Sequence, residues 1–382
     1  MFPSRFSSMI PIARKNVFQN KKRAAAAVSG IAFSVLLVFM QLGFLQGART
    51  AAAALFERFD YDLGIVSERY KFIGAPDRFN KMRLTQAGVV PEIESWVNLN
   101  ISSAWWEDPD TELMSELMVF GITLDKGFIQ DPAIRTGVDR IRKNNTVLVD
   151  VYSHPGYGDL SIGREVEVNE KTVTITGHFK LGVSLFSDGC IIVGNDNFYR
   201  LTGSDPREFN YGFLQVREGA DPSVVKEKLK QVLPDDVLVF TREEMIQQEQ
   251  DYFISVKPVG VIFQTGVVVA FIVGVVILFQ VLNTDISNRL NEFATLKAMG
   301  FKSWFIYGIG VKQALLYALM SYFPALGFAY GIFKVVHALS KMPMDLTPAM
   351  ALFVFSMSLV MCIISCILGL QKVRRTDPAE LY

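Results

Sequence analysis

The sequence predicts an α+β membrane protein: four transmembrane helices with a large mixed α/β domain inserted between helices 1 and 2. Three observations carry that expectation. Four long runs without charge stand at Ala24–Ala48, Pro258–Thr284, Ser303–Phe333 (broken only by Lys312) and Leu346–Gln371. Each reaches the roughly 20 apolar residues that a helix needs to cross a ~30 Å hydrocarbon layer. A polar stretch with its own strand and helix patterning separates the first run from the second. Basic residues outnumber acids in the short segments flanking the runs, whereas acids outnumber bases in that stretch.

Residues 1–23 carry Arg5, Arg14, Lys15, Lys21, Lys22 and Arg23 and no acid. The 285–302 loop adds Arg289, Lys297 and Lys302, and the 372–382 tail adds Lys372, Arg374 and Arg375. Basic residues in short flanks mark the cytoplasmic side, whereas a long domain crosses whatever its charge. Both termini and the 285–302 loop therefore read as cytoplasmic. Residues 48–257, with 33 acids against 23 bases and a net charge of −10, read as external. The zero net charge of the whole chain hides this division.

Residues 24–48 are the first transmembrane helix. The alternative, a secretory signal, needs an apolar core of about 7–15 residues and a small-x-small cleavage site, and neither fits here. Residues 258–284, 303–336 and 346–371 are helices 2, 3 and 4, with an external loop at 337–345. Pro324 bends the third. Lys312 follows Trp304, Phe305 and Tyr307, an interfacial aromatic group, and snorkelling explains it more simply than a functional cation facing the bundle.

The domain at 49–257 alternates strand and helix signals. Leu63–Ser67, Leu117–Ile122 and Thr146–Tyr152 read as strands. Arg164–Phe179 reads as a hairpin turning at Asn169–Lys171, because Val166 and Val168 alternate with charge before it and Val173 and Ile175 after it. Cys190–Val193 is a strand and Asn195–Leu201 a helix. Tyr211–Arg217 is a strand, followed by a helix with Asp221 as N-cap and Pro222 in its first turn. Val224, Val225, Leu229 and Val232 form the expected apolar face of that helix. Val237–Phe240 is the next strand. Thr241 with Glu244 then gives a capping box for a stalk helix expected to run through Tyr252 toward the second span. Residues 72–110 are the least legible; Trp96, Trp105 and Trp106 among acids suit core or edge packing better than a contact surface.

Little in the chain carries chemistry. No Gly-Lys dipeptide occurs, so no Walker A loop holds a nucleotide phosphate, and HExxH, GxSxG and CxxC are missing. His154, His178 and His337 are scattered, and the turn-like or strand-edge surroundings of His154 and His178 suit solvated or hydrogen-bonded roles rather than ligation. Three cysteines make no disulfide framework; Cys362 and Cys366, one turn apart in the last run, suit helix packing better than metal binding. No catalytic, cofactor or metal residue is assigned. The basic flanks have no interleaved aromatics for stacking, which argues against nucleic acid.

Asn291–Phe301, NEFATLKAMGF, is an amphipathic helix between two spans, with Leu290, Phe293, Leu296 and Met299 in one stripe and Gly300 ending it. Spacing leaves two readings open: a helix lying on lipid, and a docking helix for a cytoplasmic partner. Gly43/Gly47 and Gly327/Gly331 are small-residue pairs that permit close helix approach, the first pair being a candidate contact with a second copy.

ARKN at Ala13–Asn16, SGIAF and LLVFMQLGF in the first run, FQVLNTDISNRLNEFATLKAMGF at Phe279–Phe301 and the tail QKVRRTDPAELY together resemble the FtsX/MacB-like ABC transporter permease family, closest to the DevC-type permeases. LSIGREVEVNEKTVTITGHFKLG and DGCIIVGNDNF extend the likeness, more loosely, into the domain at 49–257. That resemblance implies a bacterial inner-membrane permease with a periplasmic α/β domain, two copies pairing, and a separate ABC ATPase subunit on each. It implies that Arg289, Asn291, Glu292, Phe293, Ala294, Thr295, Leu296, Lys297, Ala298, Met299 and Gly300 are the coupling helix on which the ATPase docks. It also implies export of a lipid or glycolipid with a membrane-fusion protein and an outer-membrane duct. The alternative within the resemblance is an FtsX-like signalling subunit that regulates an external enzyme and transports nothing.

Overall fold

The computed structural model describes residues 18–19, 21–110, 112–181, 188–256, 258–288 and 303–375. Helix α1 (Lys21–Ala53) is the first element among the described residues. Strand β1 (Leu63–Ser67), the short β2 (Phe79–Asn80), helix α2 (Met82–Ala87) and the strands β3 (Ile93–Glu107) and β4 (Met114–Ile122) follow. Next come helix α3 (Pro132–Gly137), strands β5 (Thr146–Asp150), β6 (Glu165–Val168), β7 (Lys171–Phe179) and β8 (Cys190–Gly194), and helix α4 (Asn195–Thr202). Strands β9 (Glu208–Phe209) and β10 (Tyr211–Val216), helix α5 (Pro222–Val232), strand β11 (Val237–Thr241) and helix α6 (Arg242–Asp251) complete the mixed portion. Long helices α7 (Pro258–Asn288), α8 (Ser303–Ser340) and α9 (Pro348–Arg375) end it. The chain divides into a helical unit (Met1–Gln46, Gly260–Leu339, Met344–Tyr382) and an α/β unit (Gly47–Val259, Ser340–Pro343).

In the α/β unit nine strands run in the order β11-β1-β10-β3-β4-β8-β5-β7-β6, and β6 pairs back onto β3. The six strands from β3 to β6 therefore close into a small barrel, from which β10, β1 and β11 extend as an open wing. Closure rests on the length of β3: its first half pairs with β10, while its end meets β6 at Trp106↔Val168. A closed ring leaves no exposed edge among its members. Inward side chains of the barrel, among them Trp106, Val119, Val147, Val168 and Ile175, make one apolar cluster capped by Phe198 and Leu201 of α4. Trp106 is fully buried and donates from Nε1 to the Tyr157 carbonyl at 3.1 Å, whereas Trp105 is half exposed.

Several local signals are realised. Asp221 caps α5 by accepting from the Ser223 amide, and Pro222 stands at its start. The β6–β7 hairpin turns on Asn169 and Glu170. Two expectations need correction. Of the expected α5 face, Val225 and Leu229 are buried, but Val224 and Val232 are more than half exposed. The buried row continues instead through Leu233, at four-residue spacing across the helix. The stalk helix also stops at Asp251, and Tyr252–Val256 winds as a single π-helical turn before α7 begins at Pro258.

In the helical unit, Ala24–Ala53, Pro258–Thr284, Gly308–Ser340 and Pro348–Gly369 are long and apolar enough to cross a membrane. The helices interlock at glycines. A Cβ on Gly274 of α7 would strike Met361 of α9 and press on Ser34 of α1. Ser365 donates to the Val275 carbonyl at 2.9 Å, and Tyr322 of α8 to the Ala351 carbonyl at 2.9 Å. Large apolar side chains such as Phe323, Phe328 and Leu352 remain on the outside of this unit, the arrangement that lipid contact demands.

Candidate functional site

The residues singled out for docking, Arg289 and Asn291–Gly300, lie outside the described residues, between the end of α7 and the start of α8. The paired glycines part company. Gly43 is buried against Phe333 and Met344 of its own chain, where a Cβ would lie 2.3 Å from the Phe333 ring. Gly47 is buried near the end of α1, while Gly327 and Gly331 face open space. Lys312 is covered by protein together with Gln313 rather than reaching along an open surface.

The best-built polar architecture stands where the α/β unit approaches α7 in sequence. The Thr241 hydroxyl accepts from the Glu244 amide, and Glu244 returns to the Thr241 amide at 2.8 Å. Lys226 of α5 grips both Glu244 oxygens at 2.6 and 2.7 Å, and burial notwithstanding, those bonds hold the carboxyl below its ordinary range. Helix α6 is thus fixed at its start by a cap and an ion pair. Its end is held differently. Glu249 is fully buried and accepts from the Ile73 amide at 3.0 Å, and the Phe72 and Tyr252 rings stack with centroids 4.6 Å apart. Elsewhere in this unit, Ala48 and Ala52 of α1 pack against Val259 of α7 and Met342.

Glu249 went unnoticed in the sequence because it sits in a polar run, QQEQD, that suggests a solvated face. One signal was available: Thr241, Met245 and Glu249 recur at four-residue spacing and all three are buried. Other chemistry is muted. The Cys190 thiol donates to Asp150 at 3.8 Å, and burial first, then Asp150, pushes it well above its ordinary value, so it is no nucleophile. His154 accepts from the Gly156 amide and His178 bonds to the Leu160 carbonyl. Among the described residues no group of three His, Cys, Asp or Glu is placed to hold a metal ion.

The chain has two parts, a mixed strand-helix unit inserted after one long apolar helix and three more apolar helices behind it. Residues 24–232 match the MacB-like periplasmic core domain, and residues 265–378 match the FtsX-like permease C-terminal domain. The first match alone spans more than half of the sequence, and the chain belongs to this FtsX/MacB-like permease family. It is similar to an uncharacterised ABC transporter permease of Methanocaldococcus jannaschii, 25% identical over 188 residues, which cover 48% of this chain and 46% of that protein. The chain thus spans about half the length of that relative. Among solved structures it is similar to the periplasmic region of MacB from Actinobacillus actinomycetemcomitans, with 13% identity, a TM-score of 0.37, and 49% and 91% of the two chains covered. The extracellular domain of the ABC-type transporter YknZ from Gram-positive bacteria is similar too, with 11% identity, a TM-score of 0.34, and 47% and 98% covered.

Proposed function

We propose that the chain is the permease subunit of a mechanically coupled ABC exporter. In this reading a separate ATPase, two copies of it on two copies of the permease, supplies the energy. Its movement enters at Arg289–Gly300, passes along α7 and α8, and reaches the α/β unit on the far face of the membrane. What most supports the reading is the pairing, in one chain, of a MacB-like periplasmic core with an FtsX-like C-terminal unit. The archaeal relative, itself described as an ABC transporter permease, points the same way. The sequence contains no nucleotide-binding loop, which fits an ATPase on another chain. Lipid or glycolipid is the substrate class proposed, with a membrane-fusion protein and an outer-membrane duct as further partners and both termini in the cytoplasm.

Docking is tested at the amphipathic segment. Phe293 belongs to its apolar stripe and Glu292 to its polar side. Phe293→Asp and, separately, Glu292→Lys should abolish co-purification of ATPase activity with the chain extracted from its native membranes. A resistant α/β core in limited proteolysis should survive both changes. Retained co-purification in both variants would refute the docking assignment.

A further inference from the structure

The last turn of α6 places a carboxyl where no described residue neutralises it. Glu249 is fully buried, and among the described residues its Oε2 accepts from the Ile73 amide alone. Its Oε1 is buried as well and has no hydrogen-bond partner among the described residues. A lone ion is poorly tolerated in such surroundings, so a carboxyl there keeps its proton. Burial pushes Glu249 from 4.5 up to about 8, and the Ile73 amide, which favours the ion, recovers only part of that shift.

The neighbours do not change this. The phenols Tyr61, Tyr70 and Tyr211 belong to the same apolar core as Met245, one turn before Glu249, and their hydroxyls are also buried without a hydrogen-bond partner among the described residues. Glu249 acts on the Tyr61 phenol, and so do Arg242, Glu243 and Glu57; the Arg242 guanidinium lies 5.7 Å from the Tyr61 ring centre. Lys71 and Asp251, the charged residues flanking the contact in sequence, are exposed. The influences on the carboxyl itself are burial and one amide.

The contact has a second half. Phe72 stacks on Tyr252 with 14° between the rings, so two consecutive residues, Phe72 and Ile73, are pinned to the end of α6. Immediately beyond, Tyr252–Val256 forms the π-helical turn, and Pro258 brings no amide to the ladder that follows. A π turn carries one residue more than an α turn between bonded partners, and such insertions mark places where a helix changes register. The pinned segment therefore abuts this π-helical turn.

We propose that Glu249 is a proton-operated clasp. Uncharged, it holds Phe72–Ile73 against the end of α6; on losing its proton it draws water into the contact, releases that segment and loosens the π-helical turn. The clasp works within the α/β unit and does not depend on what the chain transports or what drives it.

Its pH dependence follows from linkage. A carboxyl that holds its proton more tightly when folded than when unfolded contributes its full hold below about 4.5, and the contribution is lost as pH rises through about 8. The clasp is therefore closed in acid, weakens as pH rises through neutrality and is open above about 8.

The test uses the full chain in lipid nanodiscs. Cys190, Cys362 and Cys366 are replaced by Ala, and spin labels are attached after Ala75→Cys and Gln247→Cys, both exposed positions. Distance distributions are measured from about pH 6 to about pH 9, spanning the expected transition. One narrow distribution at the acid end should give way to a second, longer population that becomes the major one at the alkaline end. With Glu249→Gln the narrow distribution should persist throughout. A native distribution indifferent to pH, or the same transition in the glutamine variant, overturns the proposal. An infrared titration of the native chain covers the case in which that variant misfolds. A protonated-carboxyl band that survives to neutrality and fades above about pH 8 supports the clasp, and its absence at neutrality refutes it.

Discussion

Glu170 is held in a backbone conformation that suits its hairpin better than itself. Asn169 and Glu170 both have positive φ, 48° and 61°, and form the two-residue connection between β6 and β7. Such a turn matches the right-handed twist of the strands and favours Asn followed by Gly. Asn169 fits: its Oδ1 accepts from the Trp105 amide at 2.8 Å and its Nδ2 donates to the Leu201 carbonyl at 3.1 Å. Glu170 is exposed and bears the left-handed strain, roughly 1–2 kcal/mol for a residue with a Cβ. Glu170→Gly should therefore stabilise the chain by about 1 kcal/mol, offset in part by the freedom glycine adds to the unfolded state. Thermal unfolding in detergent should show a rise of a few degrees; a fall would contradict the turn assignment. The turn was legible because its signal is local. The Arg164–Asp108 ion pair at 2.7 Å was not, since its partners are 56 residues apart and nothing near either one announces the other.

The same division governs elements. Helix α5, the β6–β7 hairpin and the capping box of α6 could be read in place, because caps, prolines and alternation act within a few residues. Strand β3 could not. Its burial alternates at both ends and is continuous in the middle, because three different strands and helix α4 cover successive parts of it. No single period describes a strand that belongs to a wing and a barrel at once. Helix α5 shows how far periodicity reaches: the amphipathic pattern identified the helix, but packing chose the row Val225, Leu229 and Leu233. Leu229→Ala should cost about 2–5 kcal/mol in urea unfolding, the loss of a fully buried side chain plus its cavity. Val232→Ser, at an exposed position, should stay within about 0.5 kcal/mol. Equal effects from the two would mean that the helix packs by another face.

For the molecule as a whole, the fold class was visible in charge-free runs, because a lipid layer imposes length and apolarity on any helix that crosses it. The docking segment shows the opposite limit. A short amphipathic helix carries the same pattern whether lipid or protein covers it, so the pattern of Arg289–Gly300 does not choose between the two, and its docking role is a proposal that rests on the resemblance of its sequence. Under that reading, movement arriving through the spans has to pass the place where the α/β unit's share of α1 and α7 converge. Ala48 and Ala52, 2% and 1% exposed, lie there against Val259 and Met342, and the small side chains let these segments approach closely. Ala52→Phe would overfill the contact, at a cost of about 1–3 kcal/mol, without touching residues 289–300. ATPase co-purification should then stay normal, while the ATP-dependent change in protease sensitivity of the α/β unit is lost. Loss of co-purification would place Ala52 on the docking path instead, and an undiminished response would show that force reaches the α/β unit by a route that bypasses this junction.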